Sequence, residues 1–376
     1  MHLAAGIAGG VVIFIMSVTG ALLAFERQTI EFFERDVRLV SVPPDARELS
    51  PQQVIEKMKE QRPDAKPSAM TRTNDPEVAW LFNLGREGQI YVNPYTGQIT
   101  GEGNASVRYA MSELRSWHRW LALSGDERPI GKAITGASNL LFLFLAISGI
   151  YIWFPRNLVW KAFKPVMWFR PGLSGKARNF NWHNTIGFWT SLLLIVFTLT
   201  ATVISYQWAT NLLYTLTGNE VPKSQTSSSN SPPPQTDKHF EYPAAIDPVW
   251  QTARAQAPQW RSISLRLPVE NGSAVFTIDE GIYWNMFARS TLTVDPVAAA
   301  VTKWEPYGEQ NAARQIRSWF RYTHSGETGG IVGQMLGFVA CVGGAFLVWT
   351  GFSLAFRRFG NWLKRRRTGE SIPDEA

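Results

Sequence analysis

The hydrophobic pattern of the chain is dominated by four apolar stretches that contain no charged side chain. They run from Leu3 to Phe25, from Ala133 to Phe154, from Thr185 to Ala209 and from Ile331 to Phe356. Each exceeds the roughly 20 residues that a helix needs to cross about 30 Å of hydrocarbon. The pattern therefore predicts a membrane protein with an α-helical bundle of four transmembrane helices. No small-residue cleavage site follows the first stretch, so we expect an uncleaved anchor helix.

A long polar stretch, residues 26–112, follows the first apolar segment and is large enough to form a small folded domain. Within it, Ser50 stands at an N-cap position, Pro51 opens a helix and Gln53 completes a capping box. The runs "VAWLFNL" and "QIYVNPYTGQIT" that follow are rich in β-branched and aromatic residues, as strands are. This stretch predicts an α+β domain with one helix on a small antiparallel sheet.

A second polar stretch, residues 210–314, repeats this order of elements. Asp247 and Pro248 occupy the N-cap and first helical positions, and the strand-like runs "SAVFTID", "IYWNMFA" and "STLTVDP" follow them. The serine- and proline-rich residues 223–238 predict a flexible linker into this second domain. The fold class is therefore a four-helix transmembrane bundle with two small α+β external domains.

The predicted organisation is a duplicated unit of helix, external domain and helix. Its segments are transmembrane helix 1 (1–25), external domain 1 (26–112), an interfacial helix (113–132), transmembrane helix 2 (133–154), a basic cytoplasmic loop (155–182), transmembrane helix 3 (183–209), external domain 2 (210–314), an interfacial segment (315–330), transmembrane helix 4 (331–356) and a basic cytoplasmic tail (357–376).

The net charge of +7 is concentrated in two of these segments. The loop 155–182 has six basic residues and no acid, and the tail 357–376 has six basic residues against three acids. This placement is typical of the positive-inside rule rather than of nucleic-acid binding, so no nucleic-acid partner is expected. The loop and both termini are predicted to be cytoplasmic, with both polar domains on the other side and membrane lipid around the helices.

Four of the five histidines stand at the ends of apolar segments. His2 and His183 open the phrases "HLAAG" and "HNTIG", each with a threonine 17 residues later. His118 and His324 occur in the related phrases "RSWHRWLALSG" and "RSWFRYTHSG", but at positions that differ by four residues. The topology sorts the four histidines by depth into two pairs, one at each membrane face.

These phrases, with "SNLLFLFLAISGIYIWFPR" and "IYVNPYTGQITGE", resemble the PepSY-associated transmembrane family of bacterial inner-membrane proteins. Among its members the chain is most similar to the ferric-siderophore reductases of the ferrioxamine type. The resemblance covers nearly the whole chain and implies PepSY-like periplasmic domains, b-type haem as cofactor and a ferric hydroxamate siderophore as substrate. One departure is that "VDPVAAA" of the second domain lacks the Thr-Gly of the "NPYTG" turn.

Two haems b are expected, one held by His2 and His183 and the other by His118 and His324. Haem iron in a helical bundle takes two axial ligands from opposite sides of the ring, and neutral imidazole suits this role. Gly6 and Gly187, one helical turn after the first pair, would leave room for a flat macrocycle. The alternative is that all four are ordinary interfacial histidines. The four-residue offset of the external pair corresponds to roughly 6 Å along a helix, so their sharing of one haem stays open.

The arginines beside the external histidines are candidates for binding haem propionates, because the guanidinium fork matches a carboxylate. Arg119 and Arg321 are preferred, and Arg115 and Arg317 are weaker candidates. The alternative for all of them is an ordinary interfacial belt of arginine and aromatic residues, which includes Trp117, Trp120, Trp319 and Tyr322.

Other polar or sulfur-containing residues of the apolar segments are predicted to be packing residues. They are Thr19, Thr200, Ser148, Ser205, Cys341, Met16 and Met335.

The predicted function is an inner-membrane haem reductase that passes electrons across the membrane and reduces Fe³⁺ in a periplasmic siderophore to Fe²⁺. The sequence has no dinucleotide-binding, Walker or Cys-x-x-Cys-His motif, so a quinol or a cytoplasmic reductase must supply the electrons. No catalytic residue is assigned, and the aromatic candidates for siderophore docking are Trp80, Tyr95, Trp284 and Tyr307. The alternative function is a non-enzymatic PepSY-type protein that binds a peptide or protein partner. A permease fits less well, because no acidic residue lies in the four apolar stretches.

Overall fold

The computed structural model describes residues 1–45, 47–155, 157, 159–221, 246–268, 272–281 and 287–368. The chain divides into two compact units. The helical unit comprises Met1–Phe25, Met111–Leu213 and Arg317–Ala376, and the sheet unit comprises Glu26–Ala110 and Tyr214–Ile316. The predicted linker 223–238 lies outside the described residues.

Helices and strands follow the polarity pattern of the chain. The helices are α1 His2–Leu23, α2 Glu26–Phe33, α3 Arg35–Arg38, α4 Pro51–Gln61, α5 Ala105–Trp120, α6 Arg128–Trp153, α7 Trp160–Met167, α8 Gly175–Ser205, α9 Gln207–Leu216, α10 Ile246–Gln256, α11 Ala312–His324 and α12 Gly330–Thr368. The strands are β1 Ala69–Thr73, β2 Trp80–Asn83, β3 Gln89–Val92, β4 Ile99–Glu102, β5 Ser262–Arg266, β6 Ala274–Asp279, β7 Arg289–Val294 and β8 Val301–Glu305.

The helical unit is a bundle in which α1 and α8 each pack against both α6 and α12. These four helices are long and apolar enough to cross a membrane, which confirms the prediction of a membrane protein with four apolar helices. Small residues permit close packing, because a Cβ added to Gly10 would lie 2.5 Å from Phe352 and one added to Gly343 would lie 2.5 Å from Thr190.

Two helices extend beyond their predicted ends. Helix α8 begins at Gly175, eight residues before the predicted start at His183, and α12 continues to Thr368, well past the predicted end at Phe356. Neither extension contains a proline, and charged side chains on helix ends outside a bilayer are solvated, so nothing forces the helices to stop at the last apolar residue. The predicted cytoplasmic tail is thus helical in its first part.

The sheet unit contains one antiparallel sheet of eight strands in the order β4-β3-β2-β1-β5-β6-β7-β8. The two predicted domains are joined in it, because β1 pairs with β5 from Ala69 opposite Arg266 to Thr73 opposite Ser262. Each of these strands would otherwise expose a row of unpaired backbone groups at a sheet edge, and their pairing removes both edges. This differs from the predicted picture of two separate sheets.

Three strands were not predicted, namely β1, β5 and β8. Strands β1 and β5 mix buried apolar side chains with serine, threonine and arginine, so their composition gives a weak strand signal. The predicted strand-like run 282–288 falls mainly on residues outside those that the structure describes.

Helices α4 and α10 share one apolar core with the sheet. Their buried side chains include Met58 and Trp250, and alternate residues of β6, such as Phe276, face them. The capping box of α4 is confirmed, since Ser50 Oγ accepts from the backbone N–H of Gln53 and the Gln53 side chain accepts from that of Ser50.

Asp247 differs from its predicted role as the N-cap of its own helix. Helix α10 begins at Ile246, and the Asp247 carboxylate accepts the backbone N–H of Gln52 at 2.8 Å. It therefore stabilises the first turn of α4, where free N–H groups and the helix dipole both favour an anion.

A buried carboxylate lies elsewhere in the sheet unit. Glu34, 1% exposed, accepts hydrogen bonds from Arg108 Nε and Nη2 at 2.6 Å, from the Tyr91 hydroxyl at 2.7 Å and from the backbone of Asn104 at 2.7 Å. Burial alone would raise the pKa of Glu34, but the bonds from Arg108, Tyr91 and Asn104 outweigh it and lower the pKa. Burial, and then the bond to Glu34, raise the pKa of Tyr91. The four groups form a satisfied structural network.

Candidate functional site

The helical unit holds four histidines in two pairs, and the remaining one, His239, lies outside the described residues. His2 is the first residue of α1 and His183 lies in α8. His118 lies near the end of α5, and His324 is the last residue of α11. The structure brings His2 together with His183, and His118 together with His324.

The first pair lines a cavity of about 270 Å³ between the helices of the bundle. Most of the other lining residues are apolar, and they include the two glycines singled out in the sequence, Gly6 and Gly187. A Cβ added to Gly6 would approach only Leu145 Cδ2, at 4.0 Å, and one added to Gly187 would approach Leu347 Cδ2 at 3.6 Å. Both glycines therefore leave open space at the cavity wall.

Each histidine of this pair has its Nδ1 atom hydrogen-bonded to a hydroxyl group on a neighbouring helix. His2 Nδ1 lies 2.8 Å from Ser148 Oγ on α6, and His183 Nδ1 lies 2.9 Å from Thr350 Oγ1 on α12. The Thr350 hydroxyl itself donates to the carbonyl of Phe346 at 2.8 Å, so its lone pair accepts from His183 Nδ1–H. Nε2 of His183 then keeps a lone pair that can bind a metal.

The second pair lies in direct proximity. The ring centroids of His118 and His324 are 6.2 Å apart, with an angle of 46° between the rings. Imidazole nitrogen binds a first-row metal at about 2 Å, so one metal ion between two imidazoles would separate the centroids by roughly 6 Å. The spacing therefore matches that of two imidazoles that would share one metal ion.

The Nδ1 atoms of the second pair are also hydrogen-bonded. His324 Nδ1 donates to the backbone carbonyl of Phe197 at 3.0 Å. His118 Nδ1 lies 3.1 Å from Thr19 Oγ1, and this hydroxyl donates to the carbonyl of Ile15 at 2.7 Å, so it accepts from His118. All four histidines thus have Nδ1 occupied, and those whose partner is a carbonyl or a donating threonine keep the lone pair on Nε2.

The four-residue offset between His118 and His324 does not separate their rings. Both histidines lie in continuous helices, since His118 is two residues before the end of α5 at Trp120 and His324 is the last residue of α11. Their ring centroids are nevertheless 6.2 Å apart, so the offset in sequence does not keep the two rings from meeting.

The partners of the second pair lie on α1 and α8, the helices that carry the first pair. Thr19, the partner of His118, is 17 residues after His2, and Phe197, the partner of His324, is 14 residues after His183. At 1.5 Å per residue these separations correspond to about 26 and 21 Å along the two helices. The two pairs are therefore separated by most of the thickness of a bilayer core.

Four arginines lie near the second pair within the helical unit. Burial, and then the charges of Arg128, Arg321 and Arg115, lower the pKa of the Arg119 guanidinium. Arg119 and Arg128 also lie over the Trp120 ring, at 4.5 and 3.6 Å from its centroid. The cluster is a cationic surface suited to an anion, and it includes both preferred candidates, Arg119 and Arg321.

The aromatic candidates for siderophore docking have different positions. Trp80 is 2% exposed and Tyr307 is 9% exposed, so both are core residues that cannot form a docking surface. Tyr95 is half-buried, with its hydroxyl donating to the carbonyl of Pro76 at 3.0 Å. Trp284 lies outside the described residues.

Two hydroxyl residues predicted to be packing residues contact the histidines instead, namely Ser148 and Thr19. Thr350 was not singled out in the sequence. A signal for it exists, because Ser148-Gly149 and Thr350-Gly351 are related dipeptides that stand at the same distance before the ends of their apolar stretches, at Phe154 and Phe356. Cys341 Sγ lies 3.0 Å from the position that a Cβ of Gly20 would take, and His118 Cε1 lies 3.2 Å from it.

The chemistry of the site is restricted to imidazole ligands. Across the part of the chain that the structure describes, no three histidine, cysteine or acidic side chains come together as a metal-binding group. A pair of imidazoles would ligate a haem iron whose remaining ligands come from the macrocycle, so the donor set fits haem better than it fits a bare polydentate metal site.

The model of the PepSY-associated TM region matches residues 1–358, which confirms the resemblance to that family. The chain therefore belongs to this family. No curated protein matches the chain.

Proposed function

We propose that this member of the PepSY-associated TM family is an inner-membrane b-haem reductase that reduces a periplasmic ferric siderophore. The observation that carries the proposal is the meeting of four histidines in two pairs, each histidine with its Nδ1 atom hydrogen-bonded to a hydroxyl or a carbonyl. Ordinary interfacial histidines have no reason to meet in two pairs inside a bundle with this common hydrogen-bonding pattern.

His2 and His183 would hold one haem in the cavity that they line, and His118 and His324 would hold a second. The common pattern on α1 and α8 supports an internal duplication of the chain. Arg119 and Arg321 would bind the propionates of the second haem, because their fork-shaped guanidinium groups match carboxylates and lie beside that pair.

The positive-inside rule supports a topology in which the first pair faces the cytoplasm and the second pair faces the periplasm. The two halves of the eight-stranded sheet would then be two periplasmic PepSY-like domains. This topology gives the chain one redox-capable site near each face of the membrane.

When bound, haem supplies a carrier that accepts and releases single electrons. The protein side chains would supply the site: the paired imidazoles would ligate the iron, apolar lining residues of the first cavity such as Leu194 and Phe352 would exclude water, and the hydrogen bonds on Nδ1 would hold each ring in one orientation. A dry site also limits the reorganisation of solvent around a change in charge.

The overall reaction balances with a quinol or a cytoplasmic reductase as electron donor. Each ferric siderophore accepts one electron and gives Fe²⁺ and the intact siderophore, so one quinol, releasing two electrons and two protons, reduces two complexes. Reduction releases the iron because hydroxamate oxygens are hard ligands that hold Fe³⁺ far more tightly than the softer, less charged Fe²⁺. A ferric hydroxamate siderophore is therefore the proposed substrate.

A visible spectrum of the detergent-purified protein from haem-replete cells tests the proposal. We expect a Soret band that shifts on reduction with dithionite and about two haems per chain by the pyridine haemochrome assay. A colourless protein would show that the paired histidines have another role, and would leave a peptide- or protein-binding function as the better account.

A further inference from the structure

Ser148 and Thr350 form a matched pair of contacts around the first two histidines. Each is followed by a glycine, and a Cβ added to Gly149 would lie 3.6 Å from His2 Cε1, whereas one added to Gly351 would lie 3.7 Å from His183 Cε1. Each helix, α6 toward His2 and α12 toward His183, therefore presents the same two features: a hydroxyl at the Nδ1 atom of the imidazole and an open helix surface beside its Cε1 atom. The repetition indicates a built arrangement, because helix packing alone does not require it twice.

The direction of these hydrogen bonds follows from the chemistry of the ring. A neutral imidazole that binds a metal through Nε2 carries its proton on Nδ1, so Ser148 and Thr350 act as acceptors. Thr350 is fully buried and donates its own proton to the carbonyl of Phe346 at 2.8 Å, which makes its oxygen a better acceptor. The corresponding contact from Ser148 to the carbonyl of Leu145 is 3.4 Å long and polarises its oxygen less.

We propose that Ser148 and Thr350 are positioning residues that orient His2 and His183 and lower the midpoint potential of the haem that these histidines hold. The inference rests on the proposed function. An acceptor on Nδ1–H increases the electron density that imidazole donates to iron, and stronger donation stabilises Fe³⁺ relative to Fe²⁺. Loss of the acceptor should therefore raise the potential.

The second pair obtains the same effect from different groups, Thr19 and the backbone carbonyl of Phe197. A backbone carbonyl cannot be removed by a side-chain substitution, and it is an acceptor only. Both histidines of the first haem thus have a side-chain hydroxyl as their hydrogen-bond partner, and these hydroxyls control its potential. The potentials of the two haems are tuned separately, because their histidines have different hydrogen-bond partners.

The test is a redox titration of the purified haem protein, followed by absorption and by the low-spin ferric EPR signals of the two haems. Ser148→Ala and Thr350→Val remove the acceptors, whereas Ser148→Thr and Thr350→Ser keep them. Ser191→Ala is the matched control, because Ser191 lines the same cavity but its hydroxyl, among the described residues, hydrogen-bonds the Phe188 carbonyl of its own helix, at 3.4 Å, and not a histidine.

At a fixed ambient potential, Ser148→Ala and Thr350→Val should each raise the reduced-to-oxidised ratio of one haem by about three- to tenfold, a tenfold change corresponding to 59 mV for a one-electron couple. The other haem, the hydroxyl-retaining variants and Ser191→Ala should stay within twofold of the wild type. Comparing Thr350→Val with Thr350→Ser separates loss of the acceptor from loss of stability, because Thr350→Ser keeps the hydroxyl acceptor in a smaller side chain.

Two results would overturn the inference, and they differ from each other. If the protein binds two haems but neither potential changes in Ser148→Ala and Thr350→Val, the positioning role fails while the proposed function stands. If the wild-type protein binds no haem, the proposed function fails and the inference fails with it.

Discussion

Substituting one histidine of each pair should remove one haem and leave the other. In His183→Ala and in His324→Ala we expect the haem content to fall from about two to about one per chain. An outer-shell partner of a metal ligand is already worth about 10- to 100-fold in metal affinity, so loss of an axial ligand should exceed that range and empty the site during purification.

The two histidine pairs lie far enough apart that the loss of one haem should not affect the other. Fourteen residues along α8 divide His183 from Phe197, the partner of His324, which corresponds to about 21 Å. Effects of substitutions more than about 7–10 Å apart usually add without coupling. The haem that remains in His183→Ala should therefore keep its wild-type EPR signal and potential, and this signal should be the one that His324→Ala lacks.

The assay is the pyridine haemochrome content per chain together with EPR of the oxidised protein. His239→Ala, at the remaining histidine of the sequence, is the matched control and should retain both haems. Loss of both haems from a single substitution, loss of neither, or loss of the same EPR signal from both variants would refute the assignment of ligands to pairs.

Three further substitutions test other parts of the structure. Arg108→Leu should lower the free energy of unfolding by about 3 kcal/mol in thermal melts, because it leaves the buried Glu34 carboxylate without its charged partner. The pKa of Glu34 lies below its usual value, so the contribution of this pair is present above about pH 4.5 and is lost as the pH falls through the lowered pKa; the deficit of the variant should shrink on acidification. Gly20→Ala should disturb the second haem, since the added methyl would lie only 3.2 Å from His118 Cε1, and its EPR signal should broaden or shift. Arg119→Gln should lower the potential of the second haem in a redox titration, because it removes a positive charge that favours the reduced state.

Each of these substitutions has a control of the same kind. Arg62→Leu removes an ion pair that is largely exposed and should cost less than about 1 kcal/mol. Gly360→Ala would place its methyl where no described atom lies within 4 Å, and should leave both EPR signals in place. Arg366→Gln removes an arginine that also stacks on a tryptophan, 4.2 Å above Trp362, and should leave the second haem unchanged. An equal effect of a variant and its control would contradict the corresponding reasoning.

The sequence was sufficient for features that are encoded locally. Four uncharged runs specify four apolar helices, because a helix satisfies its backbone hydrogen bonds within one segment, as a long apolar segment in a bilayer requires. The capping box at Ser50 was likewise readable, since its partners are three residues apart.

Features that depend on distant pairing could not be read in the same way. The pairing of β1 with β5 joins residues about 190 positions apart, and nothing in the polarity of either strand specifies its partner. Asp247 capping α4 instead of its own helix is a contact of the same kind.

The sequence predicted the four histidines of the site but not the hydroxyl groups that contact them. The four ligand candidates stand out by residue type and position, whereas a serine in an apolar helix is compatible with ordinary helix packing, so Ser148 gave no distinct signal. The offset of His118 and His324 in their phrases was readable too, but the 6.2 Å distance between their rings depends on how α5 and α11 pack, which the local sequence does not specify.

The most direct test of the central claim is a single-turnover reduction by the purified protein. The protein is fully reduced without oxygen, freed of excess dithionite and mixed with a ferric hydroxamate siderophore, and the Soret band and Fe²⁺ captured by a ferrous chelator are followed together. We predict that the reduced spectrum reverts to the oxidised form and that about two Fe²⁺ ions appear per chain. A reduced spectrum that persists with no Fe²⁺ formed, from a protein that holds both haems, would contradict the account.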